Sequence, residues 1–126
     1  MRMQSSLARV RGLGSNKSGV VHWWAQRVTA VALVPLSIWF VISMLGLIGA
    51  DYGIFQDWIS LHGNLILTIA FAIVLFHHAQ LGLQVVIEDY IHAEGPKVAL
   101  IMAVKFISVM CALSIIFAAL RVAFAG

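Results

Sequence analysis

The chain has 126 residues, of which 62% are hydrophobic and only 10% are charged. A soluble domain has about 45–50% apolar and about 25% charged residues, so this composition excludes one. The single cysteine, Cys111, lies in an apolar run and excludes an iron–sulfur cluster, a cysteine-rich zinc site or a disulfide framework within this chain. The net charge of +3 arises largely from a basic N-terminal end, where membrane proteins use charge for orientation, so it gives no evidence for a nucleic acid partner.

Residues 1–21 are predicted to form a basic tail. They include Arg2, Arg9, Arg11 and Lys17 and no acidic residue. Under the positive-inside rule such a tail lies on the cytoplasmic face of a bacterial inner membrane, which is the location we prefer. The Arg- and Ser-rich, acid-poor composition also suits a mitochondrial transit peptide, so the mitochondrial inner membrane is the alternative.

Three apolar stretches follow within residues 22–126, at about 26–49, 61–88 and 97–124. About 20 apolar residues are enough for a helix to cross a hydrocarbon core about 30 Å thick. Backbone polar groups have no water to bond inside a bilayer, and a helix satisfies them internally. The sequence therefore predicts an all-α integral membrane domain with three transmembrane helices, a cytoplasmic N-terminus and a partner anchor protein packed beside it.

Arg27 stands at the start of the first span and has two interpretations. Its guanidinium can reach back to the lipid headgroups as an anchor. It can also be a counter-ion for a haem propionate or a quinone oxygen, because arginine forms forked, charge-assisted hydrogen bonds to such groups.

The segment from Asp51 to Trp58 separates the first two spans and is predicted to be a short loop. It contains two acidic residues and neither lysine nor arginine. Such a composition is typical of the outer face of the membrane.

The second span carries ionisable residues in an otherwise apolar run, which are costly there and therefore functional candidates. His78 and Asp89 lie on one face of the predicted helix, offset by about 20° and separated by about 16 Å along its axis. Gly82 follows His78 by one turn and would let a flat ring approach the backbone. Helix geometry leaves both His77 and His78 open as the important histidine, although Gly82 favours His78.

These residues suit haem and quinone chemistry. A neutral imidazole such as that of His78 is a good axial ligand to haem iron. No second ligand stands at the same depth, so it would come from a partner protein. Tyr90 can donate a hydrogen bond to a quinone carbonyl, and Asp89 can hold a partner's arginine or relay a proton. The alternatives are a hydrogen-bonded buried histidine, an interfacial tyrosine and a helix-end charge.

The motif His78-Ala79-x-x-Gly82 followed by Asp89-Tyr90 resembles the signature of a known family. That family is the small hydrophobic membrane-anchor subunit, also called the cytochrome b556 small subunit, of succinate dehydrogenase, which is respiratory complex II. The variant around Asp89-Tyr90 is similar to alphaproteobacterial and mitochondrial members. The resemblance extends to the chain length, the three-span layout and the segments Ser18–Gly19, His22–Arg27 and Glu88–His92.

The resemblance implies a role for each candidate residue. His78 is the axial ligand to haem b, whose iron takes its other ligand from the partner cytochrome b subunit. Tyr90 bonds the carbonyl of ubiquinone, with Asp89 beside it, and Arg27 lies near the haem propionates. FAD and the iron–sulfur clusters belong to the flavoprotein and iron–sulfur subunits on the cytoplasmic side. This chain is then a non-catalytic anchor, embedded in membrane lipid, in the transfer of electrons from succinate to quinone in the citric acid cycle and respiratory chain.

Three other functions remain open on the sequence. A fumarate reductase anchor would run the same chemistry in reverse. A small helical proton-coupled transporter subunit would use His78 and Asp89 as a proton path, although the sequence has no repeated halves of the kind many transporters show. A purely structural assembly subunit would need neither residue for chemistry.

Overall fold

The computed structural model describes residues 17–125. Of the predicted basic tail, residues 1–16 lie outside this range, and residues 17–21 form the beginning of the first helix. The described part of the chain is built from helices joined by short connections. These helices are α1 (Lys17–Gly46), α2 (Tyr52–Ser60), α3 (His62–Tyr90) and α4 (Glu94–Phe124).

Three of the described helices are long and apolar enough to cross a membrane, namely Gly19–Gly46, His62–Tyr90 and Glu94–Phe124. The prediction of an all-α fold with three long apolar helices is therefore confirmed. α3 has 29 residues. At 1.5 Å per residue it is about 43 Å long, so it exceeds the hydrocarbon core by about 13 Å.

The prediction of a loop between the first two spans was wrong, because Tyr52–Ser60 form a helix. Asp51 starts it, since its Oδ1 accepts a hydrogen bond of 2.9 Å from the backbone N–H of Ile54. One side of this short helix is apolar, and Ile59 is only 2% exposed where it packs with Leu65 and Ala119. The N-cap and this apolar side make α2 stable where the acidic composition alone suggested a loop.

α2 also binds the C-terminal end of α4. The Nε2 amide of Gln56 donates hydrogen bonds to the carbonyl oxygens of Val122, at 3.3 Å, and Ala125, at 2.6 Å. The hydroxyl of Ser60 lies 3.0 Å from the carbonyl oxygen of Ala123. The last carbonyls of a helix have no partner within it, so the two N–H groups of Gln56 satisfy oxygens that would otherwise need water. The Ser60 hydroxyl has one proton and also lies 2.6 Å from the carbonyl oxygen of Gln56 in its own helix.

α3 is the central helix, because it packs against both α1 and α4, while α1 and α4 do not pack on each other. Near the α2 end, Phe40 of α1 stacks on Phe71 of α3 with ring centroids 4.8 Å apart. Many large apolar side chains point outward, including Val31, 72% exposed, and Phe117, 67% exposed. Lipid or a partner protein must cover such a surface.

We expect Gln56→Ala to lower the free energy of unfolding by about 1–2 kcal/mol, because two carbonyls at the end of α4 lose their donor. Ser114→Ala is the matched control, since that hydroxyl bonds only the Met110 carbonyl of its own helix. Thermal unfolding in mild detergent measures both. Equal unfolding midpoints for the two variants would contradict the role of α2 in stabilising the C-terminal end of α4.

Candidate functional site

His78 is held by a threonine of the neighbouring helix. Its Nδ1 lies 2.9 Å from Oγ1 of Thr29, which is 9% exposed. The same hydroxyl donates to the carbonyl oxygen of Ala25, one turn back on α1, at 2.7 Å. A hydroxyl has only one proton to donate, so when that proton goes to Ala25 the oxygen acts as acceptor toward His78 and Nδ1 carries the hydrogen. In that arrangement Nε2 keeps a free lone pair, the form needed for binding a metal.

His77 and His78 face different neighbours. Successive residues of a helix point about 100° apart. His78 is partly buried against α1, whereas His77 is exposed and lines clefts bordered by α4. The two histidines therefore have different immediate neighbours.

Gly82 lies against α1 one turn beyond His78. A Cβ atom built on Gly82 would be 3.8 Å from Nε2 of Gln26, an ordinary van der Waals contact. The Oε1 atom of Gln26 is buried and has no hydrogen-bond partner among the described residues. The space beside Gly82 is therefore occupied by the amide group of Gln26. The Oε1 atom of that amide can accept a hydrogen bond from a further donor.

Arg27 is at a similar depth to His78 but on another side of α1. Thr29 points at α3, and two residues turn a helix by about 200°, so Arg27 is directed away from α3. Its guanidinium carbon lies 5.6 Å from the ring centroid of Trp23, in a cation–π contact on the exposed side of α1. The structure does not bring Arg27 and His78 together within this chain.

Asp89 and Tyr90 end α3 and are both exposed, Tyr90 by 78%. Neither side chain has a hydrogen-bond or ion-pair partner within residues 17–125. The last turn of α3 contains no basic residue, so Glu88 and Asp89 lie at the negative end of the helix dipole, where carboxylates are disfavoured. A cation supplied by another chain would offset this cost.

Sequence reasoning missed Thr29 and Gln26. The available signal was their spacing, because His22, Gln26 and Thr29 follow one another by four and three residues and so form a polar stripe on one face of α1. In the described part of the chain, no group of three or more His, Cys, Asp or Glu side chains could hold a metal ion. What this arrangement offers a metal is a single oriented imidazole.

The family described as succinate dehydrogenase/fumarate reductase transmembrane subunit matches residues 1–117. A succinate dehydrogenase hydrophobic membrane anchor subunit of Rickettsia bellii is 36% identical over 115 residues, covering 91% of this chain and 92% of the relative. The protein of the same name from Paracoccus denitrificans is 32% identical, covering 84% and 82%. A succinate dehydrogenase membrane anchor subunit of Reclinomonas americana is 30% identical, covering 74% and 80%. No solved structure matches significantly.

We expect Gly82→Ala to keep or raise the thermal unfolding midpoint. The added methyl group fits beside Gln26, and alanine favours a helix over glycine by about 1 kcal/mol. Gly82→Leu should lower the midpoint, because its larger side chain must displace Gln26 and separate α1 from α3. An equal loss of stability in both variants would show that α1 and α3 approach too closely to admit even a methyl group.

Proposed function

The chain belongs to the succinate dehydrogenase/fumarate reductase transmembrane subunit family, and we propose that it is the membrane anchor of a succinate:ubiquinone oxidoreductase. The names of its relatives and its three long apolar helices support this role. We place the chain in a bacterial inner membrane with the start of α1, the end of α3 and the start of α4 on the cytoplasmic side, where Lys17 and Lys97 stand. The flavoprotein and iron–sulfur subunits, with FAD and the clusters, would dock there.

We propose that His78 binds the iron of haem b through Nε2, and the contact of its Nδ1 with Thr29 is the observation that carries this proposal. The haem would supply one-electron redox chemistry between subunits. The partner cytochrome b subunit would supply the second axial ligand, since the described residues offer no second histidine on another helix at the depth of His78: His22 lies about two turns before Thr29 on α1. Thr29 accepts the Nδ1–H hydrogen bond, which orients the imidazole and makes it a stronger donor.

We propose that Tyr90 donates a hydrogen bond to a carbonyl of ubiquinone at the cytoplasmic end of α3. Its hydroxyl is exposed and without a partner in the described range, as a substrate-binding donor must be before substrate arrives. Asp89 would hold a cation of the partner subunits beside the quinone, or pass a proton to it as quinol forms. The unfavourable position of Asp89 at the end of the helix supports such a cation.

Arg27 is proposed to bind a haem propionate on a surface completed by the cytochrome b subunit. Its depth, close to that of His78, and its lack of an acidic partner within residues 17–125 support this role. The contact with Trp23 would hold the guanidinium in place until the propionate is bound.

The complex carrying His78→Ala should lose the b-type haem band, whereas His77→Ala should keep it. Reduced-minus-oxidised optical spectra of the complex, purified through a tag on this chain, measure both. Loss of haem only in His77→Ala would assign the axial ligand to His77 and contradict the proposal for His78. A wild-type preparation with neither haem nor flavoprotein would favour the transporter alternative.

Thr29→Val should weaken haem retention by about tenfold and raise the haem midpoint potential, because His78 loses the acceptor that strengthens it as a donor. Thr29→Ser keeps the hydroxyl and should behave like wild type. Redox titration of the haem band and haem content per complex provide the comparison. Identical potentials in all three proteins would remove Thr29 from the site.

Tyr90→Phe should slow ubiquinone reduction by about tenfold or more, since one bond to the reacting carbonyl is lost. Succinate oxidation with an artificial acceptor should remain unchanged, because that chemistry takes place on the other subunits. Tyr52→Phe, at the opposite end of the helices, is the matched control. Equal loss of both activities in Tyr90→Phe would indicate failed assembly instead of a quinone contact.

A further inference from the structure

A polar cleft lies where α1 and α4 fail to meet across α3. Its volume is about 710 Å³. Five polar side chains line it, and the rest of its wall is formed by Val21, Ala25, Leu81 and Val109. We call this the polar cleft, and its five polar residues are His22, His77, Gln80, Gln84 and Lys105.

The polar cleft has the chemistry of an anion site. Lys105 has no ion pair or hydrogen bond within residues 17–125, and no carboxylate lines the wall. The Nε2 atom of His22 is buried without a partner in the same range. Gln84 donates to Glu88 at 3.1 Å, outside the cleft. The cleft therefore presents an uncompensated cation and unused hydrogen-bonding capacity.

The depth of the cleft matches the level of the lipid phosphates. About 20 residues cross the hydrocarbon core. Counted from His62 along α3, that distance ends near residue 82, and counted backward from Phe124 along α4, it ends near residue 104. Lys105 and Gln84 therefore stand at the inner boundary of the hydrocarbon.

An apolar groove continues from the polar cleft toward the middle of the membrane. It has a volume of about 330 Å³ and lies between α3 and α4. The cleft and the groove share His77, Gln80 and Val109, so they form one continuous surface. Beyond these residues the apolar groove is lined by Ile73, Phe76, Ser108, Ala112, Leu113 and Ile116.

We propose that this surface binds an anionic phospholipid, with its phosphate in the polar cleft beside Lys105 and an acyl chain in the apolar groove. A cationic head site that opens into a narrow apolar groove at headgroup depth matches such an amphiphile in charge and in shape. A quinone also has a polar head and an apolar tail, but its neutral head does not require the cation of Lys105. The site uses the His77 side of α3 and is separate from His78, so it does not depend on the haem and quinone proposals.

The test uses the whole complex, delipidated in mild detergent and placed in phosphatidylcholine nanodiscs containing a minor fraction of phosphatidylglycerol. Native mass spectrometry counts the phosphatidylglycerol retained per complex. Lys105→Gln should reduce retention by about fivefold, as expected for loss of one cation near the headgroups. Lys105→Arg should preserve it. Lys97→Gln is the matched control, because Lys97 lies on the same helix outside the cleft and pairs with Glu94.

A second pair of variants tests the apolar groove with Lys105 intact. Ala112→Phe should fill the groove and lower phosphatidylglycerol retention, whereas Ala103→Phe, at an exposed position of α4 outside the polar cleft and the apolar groove, should not.

Equal losses in Lys105→Gln and Lys97→Gln would show that the lipid is attracted to the basic surface in general, and would overturn the proposal. Full retention in Lys105→Gln, or no preference of the wild-type complex for phosphatidylglycerol over phosphatidylcholine, would also overturn it. A raised KM for ubiquinone in Lys105→Gln or Ala112→Phe, with lipid retention unchanged, would assign the cleft to quinone.

Discussion

The hydrogen bond between Thr29 and His78 connects the packing of this chain to its chemistry. It joins α1 to α3, and it is made by a threonine that is only 9% exposed and a histidine that is partly buried. The Thr29 hydroxyl also lies 2.7 Å from the carbonyl oxygen of Ala25, and when it donates its single proton there it accepts from Nδ1 of His78. One contact between helices thus orients an imidazole and leaves Nε2 available.

The central position of α3 divides the polar residues of the chain into two sets. Toward α1 it presents His78 and Gly82, which meet Thr29 and Gln26. Toward α4 it presents His77 and Gln80, which line the polar cleft. Because the helical rotation separates adjacent residues by about 100°, the two neighbouring histidines have different surroundings: His78 meets a threonine hydroxyl, and His77 lines a cleft that α4 borders.

The two ends of the helices are built differently. At one end, α2 is tied to α4 by hydrogen bonds that Gln56 donates to the last carbonyls of α4. At the opposite end, Asp89 and Tyr90 are exposed and without partners in the described range, and α3 is about 13 Å longer than the hydrocarbon core requires. The structure thus leaves polar, unpartnered side chains at one end of the long helices and ties the helices together at the other.

The amino-acid sequence by itself determined the helical class, the three spans and the residues to examine, because long apolar runs and costly polar residues within them are local properties. The family was also recognisable from His78, Gly82, Asp89 and Tyr90. Only the tertiary structure decided that His78 and not His77 meets Thr29, and that the segment after Asp51 is a helix. Those outcomes depend on which faces of separate helices come together, and residues 49 positions apart become neighbours only when the helices pack.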